Sequence, residues 1–182
     1  MILVVDMNWK RDSLAFNEFV YPIVIAVQPL EECVIKHFLE IDPTELNGYS
    51  KIVLSGTALR DNATLGQIDK FNWIKKYDKP LLGICAGMQT ISLVFDESLV
   101  KCLQIGMTEI TTLRDNMLFK GDFRAYALHN YSVKPSPNFE ALAKSTKCIQ
   151  AMKHKQKNIY GVLFHPEVRN QEILTRFIQI GE

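Results

Sequence analysis

Cysteine is scarce in this chain of 182 residues: four copies stand at positions 33, 85, 102 and 148, and no two form a C-x-x-C pair. That spacing argues against a zinc site or a disulfide scaffold. Charge of one sign is also lacking. The 21 Lys and Arg nearly cancel the 20 Asp and Glu, leaving +1 at pH 7, so there is no electrostatic case for nucleic acid or an anionic membrane as partner. No apolar run approaches the ~18 residues of a membrane-spanning helix. The opening Met1-Ile2-Leu3-Val4-Val5 lacks a basic n-region and a small-residue cleavage site, and the expected compartment is the cytoplasm. There is no G-x-x-x-x-G-K-S/T loop and no G-x-G-x-x-G fingerprint, and Ser55-Gly56-Thr57 is too short to serve as an ATP site by itself. Repeats, low-complexity tracts and linkers are missing too.

What remains is a chain that is 47% hydrophobic and 23% charged, which fits one α/β domain over residues 1–182 with a sizeable core. Strands are expected at Ile2 to Val5, Cys33 to Leu39, Lys51 to Leu54, Leu81 to Ile84 and Ile159 to Phe164. Between them, Asp12-Ser13 offers an N-cap for a helix with apolar positions from Phe16 to Leu30. Pro22 should kink this helix, which is preferred to a strand over Ile23 to Val27. Asp42 to Leu46 reads as a short helix start, Ile68, Phe71, Ile74 and Tyr77 repeat at helical spacing, and Gln171 to Gln179 is a closing amphipathic helix. Strands alternating with helices predict a mostly parallel central sheet covered by helices on both faces. Shorter pieces at 101–104, 108–112, 124–128, 132–134 and 149–153 suggest a small added antiparallel section.

Gly83-Ile84-Cys85-Ala86-Gly87 sits where a buried strand becomes a helix. A side chain at such a turn is expected to project into solvent, and small neighbours let a substrate carbonyl approach the amides at the helix start. Most free cysteines simply pack, and Cys33, Cys102 and Cys148, which lack this frame, are assigned that role. Further along, Phe164-His165-Pro166-Glu167 places an imidazole and a carboxylate two positions apart; in an extended segment both point to one side. A carboxylate can hold one imidazole nitrogen as N–H and leave the other to take a proton from a nucleophile. In a parallel sheet the ligand crevice lies beyond the carboxyl ends of the strands, where Ser55-Gly56 and Cys85 would both be found. His37 and His154, in polar contexts, are expected at the surface.

Gly83-Ile84-Cys85-Ala86-Gly87-Met88-Gln89 together with Tyr160-Gly161-Val162-Leu163-Phe164-His165-Pro166-Glu167-Val168 resembles the class I (triad) glutamine amidotransferases. The resemblance extends through Leu54-Ser55-Gly56 and through Phe139 to Ser145, and within the class it looks most like the amidotransferase subunits of GMP synthetases. It implies a flavodoxin-like fold in which Cys85 attacks the side-chain amide of L-glutamine, His165 acts as base and then acid, and Glu167 orients it. The amides of Ala86 and of the Gly56-Thr57 loop would form the oxyanion hole. Gln89 would line the glutamine pocket, with His129, Asn130 and Tyr131 at its edge.

Several positions depart from the family pattern. The usual Ser-Gly-Gly-Pro is Ser55-Gly56-Thr57-Ala58, and a threonine at φ > 0 would be strained. The Ser-His-x-Asp motif is Leu128-His129-Asn130-Tyr131. Val168-Arg169-Asn170 replaces the usual His-Thr, and Asp96-Glu97 stands in place of a Gly-Gly. The resemblance implies no metal and no cofactor in this chain. Ammonia released into water is mostly protonated and unreactive, so a separate ATP-dependent synthetase of the GMP type, carrying ATP and Mg²⁺, is expected to dock near Cys85, around His129 to Tyr131. Branches serving anthranilate, aminodeoxychorismate or imidazole glycerol phosphate synthesis, a γ-glutamyl peptide hydrolase, and a non-catalytic regulatory paralogue are the other readings.

Overall fold

Nine strands form one sheet among the described residues, 1–134 and 137–181 of this computed structural model. In chain order they are β1 (Ile2–Asp6), β2 (Cys33–His37), β3 (Lys51–Leu54), β4 (Leu81–Ile84), β5 (Leu99–Thr112), β6 (Phe123–Val133), β7 (Phe139–Lys144), β8 (Ile149–His154) and β9 (Ile159–Val162). The spatial order is β2-β1-β3-β4-β9-β8-β7-β5-β6. The first five in that order pair in parallel, and every later pairing is antiparallel.

β1, β3, β4 and β9 are buried along their whole length, as parallel strands covered on both faces must be. Their alternate side chains feed two cores. On one face Ile2, Val4, Val53 and Leu82 meet Ile23 and Val27 of α2 (Tyr21–Val27) and Leu174 and Phe177 of α4 (Glu172–Ile178). On the other, Leu3, Val5, Ile52 and Leu54 meet Phe71, Ile74 and the Ile91 and Val94 side chains of α3 (Ala86–Val94). Each such fully buried side chain contributes about 1.5–3 kcal/mol. The sheet thus carries helices on both faces, and the flavodoxin-like α/β class holds.

Several local expectations change. Pro22 does not kink one helix; it is the second residue of α2, a separate helix from α1 (Leu14–Phe19), with the break at Val20. A proline in the first turn sacrifices no helical hydrogen bond. In place of a helix start at Asp42, Pro43 to Glu45 form a turn that runs into a 3-10 turn at Leu46–Gly48. Ile68–Lys75 is a 3-10 rather than an α-helix. The short antiparallel pieces join into longer strands: 101–104 and 108–112 are one strand, β5, and 124–128 and 132–133 belong to β6, which ends before Lys134. β7 escapes the sequence pattern because Phe-Glu-Ala-Leu-Ala-Lys is made mostly of helix formers, and only pairing with β8 and β5 holds it extended.

Candidate active site

Between the end of β4 at Ile84 and the start of α3 at Ala86, Cys85 stands alone with φ 47° and ψ −100°, and its side chain is buried rather than projecting into solvent, because the Leu128 segment covers it. A non-glycine residue there stores on the order of 1–3 kcal/mol of strain. The turn is clamped by Cys85 N–H to Val162 O at 2.8 Å and by Gln89 N–H to Cys85 O at 3.0 Å. The flanking glycines answer to close approach, since neither has a positive φ. A Cβ on Gly83 would sit 2.5 Å from the Gly87 carbonyl carbon, and one on Gly87 would sit 2.6 Å from Leu54 O. Ala86 is the first residue of α3, so its N–H has no partner within the helix.

The loop after β3 faces this turn. Ser55 anchors it: its N–H donates to Val5 O at 3.1 Å, its hydroxyl accepts from Met7 N–H at 3.1 Å and donates to Gly56 O at 2.9 Å. Gly56 is wedged between the Cys85 and His165 side chains, for a Cβ there would lie 2.6 Å from His165 Cε1 and 3.6 Å from Cys85 Cβ. Thr57 is spared the strain that φ > 0 would bring. The described non-glycine residues with positive φ are Asp12, Cys85, Asp96 and Asn170.

His165 follows β9, its N–H donating to Tyr126 O at 2.8 Å and its ring packed 5.4 Å from that of Phe19. Its Nδ1 lies 2.7 Å from Glu167 Oε1, with both side chains at 0% exposure. An ionised carboxylate only accepts, so Nδ1 carries the proton. The pair does not sit in an extended segment. Val168 N–H donates to His165 O at 3.2 Å, making 165–168 a turn with Pro166 in the second position that its fixed φ favours. The His165 Nε2 has no hydrogen-bond partner among the described residues, and the Cys85 thiol donates instead to Leu128 O at 3.5 Å. Burial alone would lower the His165 pKa, but the Glu167 carboxylate and Cys85 raise it well above the ordinary imidazole value.

The remaining polar groups border a cleft lined by Thr57, Asp61, Cys85, Gln89, Asn130 and Tyr131 among others, holding about 10 Å³. That is room for roughly one water molecule. Its side chains are engaged with each other's backbone: Gln89 Nε2 donates to Tyr131 O at 3.0 Å, and Asn130 Nδ2 to Leu59 O at 2.6 Å. A larger cavity of about 510 Å³ opens between Phe38, Leu46, Trp73 and Tyr77 and is lined by none of the candidate catalytic residues.

His129 borders the cleft, but its ring is committed elsewhere: Nδ1 lies 2.9 Å from Cys102 O and Nε2 lies 3.3 Å from the Gln150 amide. Burial pulls its pKa down to about 4, against the opposing pull of the Cys102 carbonyl. His37 and His154 are buried rather than at the surface. His37 Nε2 meets Asn8 O at 2.8 Å, and the His154 ring packs between Phe95 and Phe139. Sequence reasoning missed Leu128, whose contribution is a main-chain carbonyl that no side-chain pattern reveals. It also gave no sign that Cys102 and Cys148 meet His129, with ligand atoms all within 4.8 Å of one another, because the three are far apart in sequence.

Residues 18–180 match the family model described as glutamine amidotransferase class-I. One glutamine-hydrolyzing GMP synthase subunit, from Methanosphaera stadtmanae, is 43% identical over 120 residues, 60% of this chain and 64% of the relative. The chain thus spans less than two thirds of that relative's length. The corresponding subunit of Thermoplasma acidophilum is 33% identical over 153 residues, covering 78% of this chain and 76% of the relative. A crystal structure of a GMP synthase subunit from Thermoplasma acidophilum superimposes with a TM-score of 0.86 at 28% identity, covering 98% of this chain and 92% of that one.

Proposed function

Since this chain belongs to the class-I glutamine amidotransferases, we propose that it hydrolyses L-glutamine to glutamate and ammonia with Cys85 as nucleophile, His165 as proton carrier and Glu167 as its orienting partner. The observation that carries this reading is the strained Cys85 turn facing, across Gly56, an imidazole bonded to a carboxylate at 2.7 Å. The Cys85 thiol passes its proton to His165 Nε2, and the sulfur adds to the amide carbon while the carbonyl oxygen takes the charge. Donors at Ala86 and the Gly56-Thr57 loop would meet it; one such donor is worth roughly 10²–10³ in rate. Collapse of the adduct breaks the C–N bond as His165 gives its proton to the leaving nitrogen. Ammonia departs and a γ-glutamyl thioester remains. His165 then takes a proton from water, whose oxygen attacks the thioester, and glutamate and the thiolate are released.

Ammonia then needs an acceptor. The relatives are named as subunits of a glutamine-hydrolyzing GMP synthase, which supports transfer to a separate ATP-dependent synthetase that forms GMP from XMP, with ATP and Mg²⁺ held on that partner. The whole of 1–182 is taken as one amidotransferase domain acting in the cytoplasm. No helix of the described residues is long and apolar enough to cross a membrane. With room for about one water, the cleft would have to open around Thr57–Asn62 or Leu128–Tyr131 to admit glutamine, and basal turnover is expected to be low and to rise on docking. The test is glutamate release by the wild type and Cys85→Ala, with and without a GMP synthetase partner. Release that is stimulated by that partner and abolished by the substitution supports the proposal; release surviving in Cys85→Ala removes Cys85 from the mechanism, and turnover indifferent to the synthetase removes the docking step.

A further inference from the structure

Two thiols and an imidazole converge beside the cleft, and the steps of glutamine hydrolysis give none of the three a proton to carry or a bond to form. Cys102, His129 and Cys148 place their ligand atoms within 4.8 Å of one another. His129 faces Gln104 across the β5–β6 ladder, and the register slips between Lys101 and Gln104, so Cys102 lies in a bulge. Bulges re-aim side chains. Cys148 closes the turn from β7 to β8, where its N–H donates to Ser145 Oγ at 3.3 Å. His129 Nδ1, at 2.9 Å from Cys102 O, is the donor nitrogen, which leaves Nε2 with the lone pair. A backbone carbonyl holding one imidazole nitrogen is the usual support of a ligating histidine.

Polar side chains crowd the centre of this cluster, where the Ser145 hydroxyl also donates to Gln104 Oε1 at 3.1 Å. The Gln150 amide nitrogen carries two hydrogens, yet it faces Gln104 Oε1 at 3.0 Å, His129 Nε2 at 3.3 Å, and Ser145 Oγ and Cys148 Sγ both at 3.4 Å. The Gln150 Oε1 atom is buried without a hydrogen-bond partner among the described residues. A cation at the centre would give Gln150 Oε1 a partner once the amide turns its oxygen inward.

We propose that Cys102, His129 Nε2 and Cys148 bind a thiophilic divalent cation of the zinc class, the fourth position being filled by a glutamine side-chain oxygen or water. Two sulfurs and an imidazole form the donor set such ions select, whereas magnesium and calcium require oxygen. On binding, two S–H bonds are exchanged for two metal–sulfur bonds and two protons pass to solvent. The ion would cross-link β5, β6 and the β7–β8 turn, and so fix the segment whose Leu128 and Tyr131 carbonyls meet Cys85 and Gln89. Its role is positional, and the proposal stands whether or not the chain hydrolyses glutamine.

Co²⁺ is the probe, added to reduced Cys85→Ala protein so that the cleft thiol cannot compete. The expected result is one equivalent bound, with sulfur-to-cobalt charge-transfer absorption and tetrahedral d–d bands that Zn²⁺ displaces, and a Zn²⁺-dependent rise in Tm. Further replacement by Cys102→Ser or Cys148→Ser should weaken the charge-transfer band, and replacement of both should abolish it. No thiolate band, or a band intact after both replacements, overturns the site. Should the serine variants fail to fold, alkylation of the wild type decides. Zn²⁺ should shield Cys102 and Cys148 but leave Cys33 reactive. Equal labelling with and without Zn²⁺, or a Cys102–Cys148 disulfide that keeps both from binding metal in reducing buffer, refutes the proposal.

Discussion

The Nδ1 atom of His165 stands 2.7 Å from Oε1 of Glu167, with both side chains sealed from solvent. An unpaired carboxylate in such a place would be costly, so the contact sets both the tautomer of the ring and its affinity for a proton. Burial opposes the imidazolium, while Glu167 and Cys85 favour it and prevail. Glu167→Gln should therefore lower kcat by roughly 10²–10⁴-fold, with a smaller effect on KM. Steady-state glutamate release measures this, and an unchanged kcat would remove Glu167 from the machinery.

The same pair has a signature in stability. A histidine whose folded pKa is raised contributes stability that is fully present below its unfolded value of about 6.5 and is lost as pH rises through the folded value. The wild type should therefore exceed Glu167→Gln in urea midpoint most clearly near pH 6, and the gap should narrow in alkaline buffer. A gap that widens with rising pH would contradict the assigned direction.

Strain at Cys85 predicts an inverted order of substitutions. Glycine normally costs more than alanine, but at φ 47° and ψ −100° only glycine is relaxed. Cys85→Gly should be about 1 kcal/mol more stable than Cys85→Ala by denaturant unfolding, and both should be inactive. Equal stability would show that the turn is not strained.

Gly56→Ala introduces a Cβ 2.6 Å from His165 Cε1. The ring must move, and a misplaced base loses rate steeply, so kcat should fall at least ~100-fold while stability drops by about 1–3 kcal/mol. A variant of wild-type activity would mean that His165 does not act from its observed position.

Thr57→Gly restores the family's usual glycine. Because Thr57 does not occupy positive φ, the exchange should leave kcat within a few-fold and reduce stability by about 0.4–1 kcal/mol through the freer unfolded chain. A tenfold gain in kcat would instead show that the threonine obstructs the oxyanion loop. A quiet result removes the steric reason for a non-catalytic paralogue.

Elements that were legible share one property: local pattern and tertiary demand agree. β1, β3, β4 and β9 are buried on both faces and read as apolar runs, with a charged residue only at the end of β1 and the start of β3. Where the two disagree the pattern misleads. The helix formers of β7 are extended because two neighbours pair with them, and His154 is buried because Phe95 and Phe139 enclose a ring set among lysines. The His165–Glu167 contact was foreseen although the backbone between them turns, since two side chains so close in sequence can meet by either route.

By itself the sequence determined the tight turn at Cys85 and the pairing of His165 with Glu167, because glycine placement and a two-residue separation act through bonds and short-range sterics. Only the tertiary structure decided that Cys85 rests on Leu128 O, that Gly56 fills the gap to His165, and that Cys102 and Cys148 meet at His129. These contacts join residues tens of positions apart, and they arise from the order of strands in the sheet, the bulge in β5 and the turn after β7.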